Sequence, residues 1–291
     1  MRKSNLWMLA LLLTFSSSFA QKSNIEFEEY DLDNGLHVIL HQDNTTPIVN
    51  VAVLYHVGSK NEPEGRTGFA HFFEHLMFEG SDNIDRGEYM KIIQAAGGTL
   101  NANTSQDRTF YYETLPSNQV ELGLYMESER MLHAKIDSTG IATQKEVVKE
   151  EKRLRIDNQP YMSFQEKMFK AAFHDTNYEW TPIGSFEDID SATDQDFEDF
   201  YKTFYVPNNA TLSIAGDIDK TSVKKMISDY FGDIPKGTTA IPRPSVPEPD
   251  FEGEFREDVF DNVQLPAVFM GYRIPVSYTH LTLPTTWSRC R

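Results

Sequence analysis

The sequence predicts an α+β fold in which a mostly antiparallel sheet carries helices on one face. Segments with strand patterns come in clusters, and pairs of helical segments separate the clusters, which favours this class over a strictly alternating parallel fold. The chain has 291 residues, enough for a large core and more than one domain. Hydrophobic residues make up 40% and charged residues 24% of the chain, a composition that excludes disorder throughout.

The elements follow from turn signals and apolar periodicity in chain order. Asn34-Gly35 lies between two extended segments and predicts a type I′ hairpin turn. Alternating apolar residues indicate strands, and apolar residues at helical spacing indicate helices. The predicted strands are 25–32, 36–41, 48–58, 99–104, 109–114 and 210–216; the predicted helices are 69–79, 86–96, 117–132, 141–156, 196–204 and 221–231.

The first twenty residues have the pattern of an export signal. Arg2 and Lys3 precede a short apolar run, and small residues then lead to Ala20, after which we expect cleavage. About ten apolar residues are too few to cross a bilayer, which needs roughly twenty. We therefore expect a protein in the periplasm or outside the cell, with no stable membrane anchor after signal removal.

The remaining chain divides by composition. Five prolines fall between 235 and 250, so this segment is predicted to be a linker that follows a catalytic unit at 21–234. Residues 251–275 are predicted to begin a second, truncated unit, with a strand at 269–275. Residues 276–291 have no apolar period, and we expect them to be a non-native tail.

Charge and cysteine content restrict the possible functions. Lys and Arg total 27 against 44 Asp and Glu, a formal net charge of -17 that repels phosphate backbones and argues against nucleic acid as a partner. The single cysteine, Cys290, can form neither an internal disulfide nor a cysteine-based metal site. Any metal must therefore be held by His, Asp or Glu.

The predicted helix at 69–79 carries an unusual polar stripe. The helix is otherwise apolar, yet His71, Glu74 and His75 share one side at i, i+3 and i+4. Two imidazoles one turn apart can hold the same cation, and Glu74 is then close enough to a metal-bound water to take its proton. The alternative is a pair of buried structural histidines.

A catalytic zinc site needs a third protein ligand, and the helix at 141–156 offers candidates. Glu150 falls on its polar stripe, whereas Glu151 falls with Val147, Val148 and Leu154 on the face predicted to point to the core. Because an unpaired buried carboxylate is expensive, Glu151 is the predicted ligand and Glu150 is predicted to be solvated. The alternative is that Glu151 pairs with a core arginine.

These residues carry a family resemblance. His71-Phe72-Phe73-Glu74-His75, followed 76 positions after His75 by Glu151, resembles the pitrilysin/insulinase family of zinc peptidases. The stretches 97–104, 182–185 and 205–217 are similar to further landmarks of that family, so the resemblance covers 25–275. It implies one zinc ion per catalytic half, with His71, His75 and Glu151 as ligands and Glu74 as general base.

The resemblance also implies how peptide binds. Peptide in this family binds as a strand added to a sheet edge, which here is the segment Leu100, Asn101, Ala102 and Asn103. The alternative is an ordinary strand without a substrate role. Many members have an acidic residue seven positions before the ligand glutamate. Here Gln144 occupies that place, where its amide can make a second-shell hydrogen bond but adds no charge.

The resemblance implies a zinc-dependent endopeptidase that cleaves unfolded peptides and forms one half of a two-half clam-shaped molecule. Two alternatives are a non-catalytic peptide-binding or partner subunit of the same fold, and a structural metal site or binding domain. Because only the start of a second half follows the linker, we expect this chain alone to be poorly active and to require a second half or a homologous subunit.

Overall fold

The computed structural model describes residues 25–245 and 253–273. The predicted export signal with its cleavage after Ala20, and the predicted tail with Cys290, lie outside these residues. None of the helices in the two described ranges has the length and apolar character required to cross a membrane.

Six strands of the described chain form one sheet in the order β1-β2-β6-β3-β5-β4. Neighbouring strands are antiparallel except β2 and β6, which run parallel. The strands are β1 Glu28–Asp31, β2 His37–Gln42, β3 Ile48–Tyr55, β4 Thr99–Thr104, β5 Thr109–Pro116 and β6 Ala210–Gly216. The predicted α+β class with a mostly antiparallel sheet is confirmed, and β4 is an edge strand.

The helices lie between and after these strands. They are α1 Phe69–Leu76, α2 Tyr89–Ala95, α3 Val120–His133, α4 Ser138–Lys152, α5 Phe164–Ala172, α6 Phe186–Ser191, α7 Asp194–Phe204 and α8 Lys220–Phe231. A π-helical turn, Arg153–Asp157, continues α4. The sequence-based prediction missed α5 and α6, which have nine and six residues.

One face of the sheet is covered by helices and the other is half-exposed. Val38 and Leu40 of β2 are fully buried, whereas the intervening Ile39 is only half-buried. Helix α3 packs on β3 and β5, and both α1 and α2 pack on β4. The helices therefore cover the buried face, as predicted.

The first hairpin forms, but its turn differs from the predicted type I′. Leu32 N–H donates to Leu36 O at 2.9 Å across a three-residue loop, and Gly35 has a φ of 86° while Asn34 does not have a positive φ. This is a type of loop that ends in a left-handed glycine bulge. Tertiary contacts account for this difference, because the Asn34 amide is buried and donates to the carbonyls of Phe231 and Ile234.

The chain after α8 forms neither helix nor strand within 235–245 and 253–273. The predicted strand at 269–275 is therefore wrong over its described part, 269–273. A strand needs a neighbour to pair with, and in the described chain this segment makes side-chain contacts instead. The ring of Phe269 stacks on Phe164 of α5 with centroids 4.1 Å apart. Just before this segment, the backbone carbonyl of Leu265 accepts a hydrogen bond from Tyr161 Oη at 2.7 Å.

Candidate metal centre

A buried carboxylate fixes the start of α1. The helix begins after Gly68, which has no side chain to cap it, and the Glu62 carboxylate accepts hydrogen bonds from Gly68 N–H at 3.0 Å and Ala70 N–H at 2.8 Å. The Trp180 indole N–H donates to the same carboxylate at 3.0 Å. Burial raises the pKa of Glu62 to about 8. Sequence reasoning missed this residue, since its only signal is an acid a few positions before a helix.

Helices α1 and α4 bring three of the predicted site residues together. His71 Nε2 and His75 Nε2 lie 3.3 Å apart on α1. Glu151 Oε2 of α4 lies 3.0 Å from His75 Nε2 and 3.6 Å from His71 Nε2. One donor atom of each residue therefore faces a common point.

These distances fit a tetrahedral zinc site. Ligand bonds of about 2.0–2.1 Å at tetrahedral angles place neighbouring donor atoms roughly 3.3–3.4 Å apart, and the three observed distances scatter around that value. Glu151 Oε2 is buried without a well-formed hydrogen bond in the described chain. A buried oxygen in that state requires an explanation, and a cation bound between the imidazoles and the carboxylate supplies one.

The electrostatics of the cluster also suit a cation. Burial, reinforced by the neighbouring His75, lowers the pKa of His71 to about 4, so its imidazole is neutral at physiological pH. The His75 imidazole, more than any other group, lowers the pKa of Glu151. A neutral imidazole at His71 and an ionised carboxylate at Glu151 are protonation states that bind metal.

Glu74 lies beside the cluster and is held by the edge strand. Thr104 Oγ1, at the end of β4, donates to Glu74 Oε2 at 2.6 Å. Burial raises the pKa of Glu74, and the Thr104 hydrogen bond partly opposes that rise. Sequence reasoning missed the role of Thr104, because the two residues are thirty positions apart and no spacing rule joins them.

The second oxygen of Glu151 pairs with a residue that sequence reasoning did not select. Arg155 Nη1 lies 2.6 Å from Glu151 Oε1. The Arg155 side chain is 74% exposed, so it is not the core arginine of the alternative interpretation. It belongs to the π-helical turn, a type of distortion that frequently occurs at functional sites.

The prediction that Val147 and Leu154 point to the core is wrong, whereas Glu151 does lie on an inward side of its helix, with 13% of its side chain exposed. Val148 is buried at 2% exposure, but Val147 is 42% and Leu154 is 55% exposed. Periodicity identified an apolar face correctly, yet most of that face points to solvent rather than to the sheet. Glu150 is exposed, as predicted.

Gln144 lies two turns before Glu151 on α4. Its amide Nε2 donates to Glu79 Oε1 at 2.5 Å, and Glu79 is also paired with Arg86. No hydrogen bond from Gln144 to a predicted ligand appears among the described residues. That Gln144 hydrogen-bonds a metal ligand stays a prediction.

Leu100, Asn101, Ala102 and Asn103 form the middle of the edge strand β4. Leu100 and Ala102 pack against the core, whereas Asn101 and Asn103 are exposed. Arg108 donates to Asn103 Oδ1 at 2.6 Å, and Ala102 N–H donates to Asn101 Oδ1 at 2.9 Å. The edge position is therefore established, while the substrate role of these residues stays a prediction.

Comparison with known proteins identifies related sequences and similar solved structures. Zinc protease PqqE of Helicobacter pylori is 34% identical over 269 residues, which are 91% of this chain and 61% of the relative. The crystal structure of a protease from Helicobacter pylori covers 78% of this chain and 55% of its own, with a TM-score of 0.75 and 34% identity. The periplasmic protease PqqL from Escherichia coli gives a TM-score of 0.71 at 25% identity, over 77% of this chain and 26% of its own.

This chain thus spans between about a quarter and three fifths of the chains that it matches. The family model described as Peptidase M16 inactive domain matches residues 191–284. The model described as Insulinase (Peptidase family M16) matches residues 37–184, about half of the chain, and this range includes His71, Glu74, His75 and Glu151. The chain therefore belongs to the insulinase family of peptidases, family M16.

Proposed function

We propose that the protein is a zinc-dependent endopeptidase. The observation that carries the proposal is the convergence of two imidazoles and a carboxylate, with a second, half-buried carboxylate, Glu74, beside them. Relatives that are named zinc proteases support the choice of metal. His71, His75 and Glu151 are the residues that would hold it.

Glu74 is the proposed general base. When bound, zinc polarises the carbonyl of the scissile peptide bond and lowers the pKa of water. Glu74 takes a proton from the attacking water and delivers it to the leaving amine. Its raised pKa favours holding that proton between the two steps, and the Thr104 hydroxyl keeps the carboxylate in place.

Peptide is proposed to bind along the free edge of β4. An extended chain can add a strand there and receive backbone hydrogen bonds from Leu100 to Asn103, a mode that requires unfolded peptide. Support comes from Thr104, which connects the end of this strand directly to Glu74. Residues of the edge strand and the general base then act on the same bound peptide.

The location and the second half are further parts of the proposal. The pattern of residues 1–20 and the periplasmic PqqL relative support export to the periplasm or beyond the cell. The proposed organisation is a catalytic half at 21–234, a linker at 235–250 and the start of a second half at 251–275. A second half or a homologous subunit would complete the substrate chamber.

Metal content and peptide cleavage test the proposal. The chain should bind one zinc ion, measured by metal analysis after gentle purification. Cleavage is followed on the protein with its second half present, with and without a chelator. The Glu74→Gln variant should keep zinc and lose cleavage, because an amide cannot accept the proton. Cleavage that survives this substitution would disprove the mechanism.

A further inference from the structure

The outer face of the sheet carries a charged and aromatic patch at its β4 edge. Asn103 of β4 pairs directly with Phe110 of β5, and directly paired residues project to the same side of a sheet. That side is the one without helices, because the intervening Tyr111 is fully buried and its hydroxyl donates to a carbonyl of α1. The rings of Phe110 and Tyr112 stack on this outer side with centroids 5.4 Å apart.

Arg108 lies beside these rings, at the end of the turn that joins β4 to β5. Its guanidinium lies over the Phe110 ring, 5.3 Å from the centroid, and its Nη1 donates to Asn103 Oδ1 at 2.6 Å. Its backbone is also fixed, because Ser105 N–H donates to Arg108 O at 2.9 Å. The guanidinium is therefore held over the edge strand, and it loses little conformational entropy when it binds a ligand.

No carboxylate of the described chain neutralises this charge. Arg108 forms no ion pair within residues 25–245 and 253–273. The carboxylate of the neighbouring Asp107 is directed elsewhere, since it accepts hydrogen bonds from Lys60 Nζ and Tyr178 Oη, each at 2.5 Å. A guanidinium presents several N–H donors in a planar fork, of which Asn103 takes one. The remaining donors can pair with a carboxylate, whose planar shape matches the fork.

A peptide strand added to β4 would come close to this guanidinium. It would lie one strand spacing, about 4.8 Å, from β4. The peptide residue opposite Asn103 projects to the same outer face, where an Asp or Glu side chain reaches the Arg108 guanidinium. Thr104, the next residue of β4, donates to Glu74, so this peptide position lies within about two residues of the bond to be cleaved.

We infer that Arg108 is a specificity-determining residue that selects peptides with an acidic side chain opposite Asn103. The inference rests on the proposed peptidase function. The guanidinium binds the carboxylate, while Phe110 and Asn103 hold the guanidinium in place. The protein as a whole repels acidic peptides, because its formal net charge is -17. Acidic side chains should therefore favour binding at one peptide position and not at the others.

Peptide binding tests this inference without requiring turnover. The Glu74→Gln variant, with the second half present, is loaded with zinc and titrated with fluorescein-labelled peptides of alanine and serine. Each peptide carries one Glu or one Gln, placed in turn along the sequence, and fluorescence anisotropy gives the affinity. At one position Glu should bind about three- to tenfold more tightly than Gln, the range expected of a hydrogen-bonded, partly exposed ion pair. At the other positions Glu should bind equally or more weakly.

Substitutions of Arg108 should remove or reverse this preference. In the Glu74→Gln background, Arg108→Gln should abolish it, and Arg108→Glu should make a peptide with Lys at the same position the tighter ligand. Arg256→Gln is the matched control, because it removes the same charge from a residue outside the sheet that pairs with Asp258. This control should leave the preference unchanged. Zinc content should be the same in every variant.

Three results would overturn the inference. The first is a preference for Glu that persists in Arg108→Gln, and the second is that Glu binds more tightly than Gln at no position. The third is an equal loss of preference in Arg256→Gln, which would assign the effect to net charge rather than to Arg108. The proposed function fails by different results, namely cleavage without Glu74 or a chain that binds no zinc.

Discussion

Helices α1 and α4 supply the same candidate metal cluster but are packed differently. Phe69, Phe72, Phe73 and Leu76 of α1 are at most 2% exposed, and Glu62 fixes the first turn. In α4 the buried residues are few, and Val147 and Leu154, which flank Glu151 in the sequence, are exposed. The core therefore holds the two histidines, whereas Glu151 comes from a helix that is only partly packed against the core.

The largest expected effect concerns the burial of α1. Phe73→Ala should reduce the free energy of unfolding by about 3–5 kcal/mol, because the ring is fully buried and its loss leaves a cavity. Val147→Ala on α4 should change it by no more than about 0.5 kcal/mol. Chemical denaturation of both variants measures the contrast. Equal losses in the two variants would mean that α4 is as tightly packed as α1.

The next effect concerns the ligand that α4 supplies. Glu151→Gln should weaken zinc binding by about 100-fold or more, because the amide carries no negative charge and is a poor zinc ligand. Glu150→Gln, one position earlier on the exposed side, should change zinc affinity by less than about twofold. Competition with a chromophoric chelator measures both affinities. A similar loss in the two variants would remove Glu151 from the ligand set.

Substitution of Glu62 tests how much its hydrogen bonds to the start of α1 stabilise the folded protein. Glu62→Gln should reduce the free energy of unfolding by about 1–3 kcal/mol, since an amide NH₂ must face an N–H donor. The folded-state pKa of Glu62 is raised from 4.5 to about 8, so the folded protein retains a proton that the unfolded chain releases. Wild-type stability should therefore decline as pH rises from about 4.5 to 8, and the difference from the variant should shrink.

Urea denaturation of wild type and Glu62→Gln between pH 5 and 8 measures this difference. A difference that grows with pH would show the opposite protonation state. In that case the three N–H groups would hold the Glu62 carboxylate ionised in the folded protein.

The smallest expected effect concerns the hydrogen bond between β4 and Glu74, the proposed general base. Thr104→Val removes the hydrogen bond to Glu74, worth about 0.5–1.5 kcal/mol, and should lower kcat/KM by about two- to tenfold. Zinc affinity should not change. Thr99→Val, at the exposed start of the same strand, is the control. Unchanged kcat/KM in Thr104→Val would mean that Glu74 is positioned without the hydroxyl.

The sequence was sufficient where local patterns determine the structure. Strands β4 and β6 have the predicted bounds, 99–104 and 210–216, because turn signals enclose alternating segments. The spacing of His71 and His75, and the position of Glu151 on a second helix, predicted a cluster that the structure brings together. Helical periodicity is enough to place two imidazoles on one side of α1.

The sequence was insufficient where a contact between distant segments determines the local structure. Periodicity identified the apolar side of α4 but could not show that Val147 and Leu154 face solvent, because the same pattern occurs on buried and on exposed helix faces. The turn at Asn34 depends on carbonyls about two hundred residues away. The contacts of Glu62 and Thr104 likewise join distant segments, which no single-sequence pattern reveals.

The position of β6 has a consequence for folding. This strand lies between β2 and β3, which are consecutive in the chain, and its Leu212 pairs with Val38 and with Val53. The centre of the sheet therefore cannot close until residue 216 is available. A chain that ended before residue 210 would have two unpaired strand edges in place of the central strand, a state prone to aggregation. Such distant pairing also predicts slow folding, so the unclosed sheet is the form that requires protection.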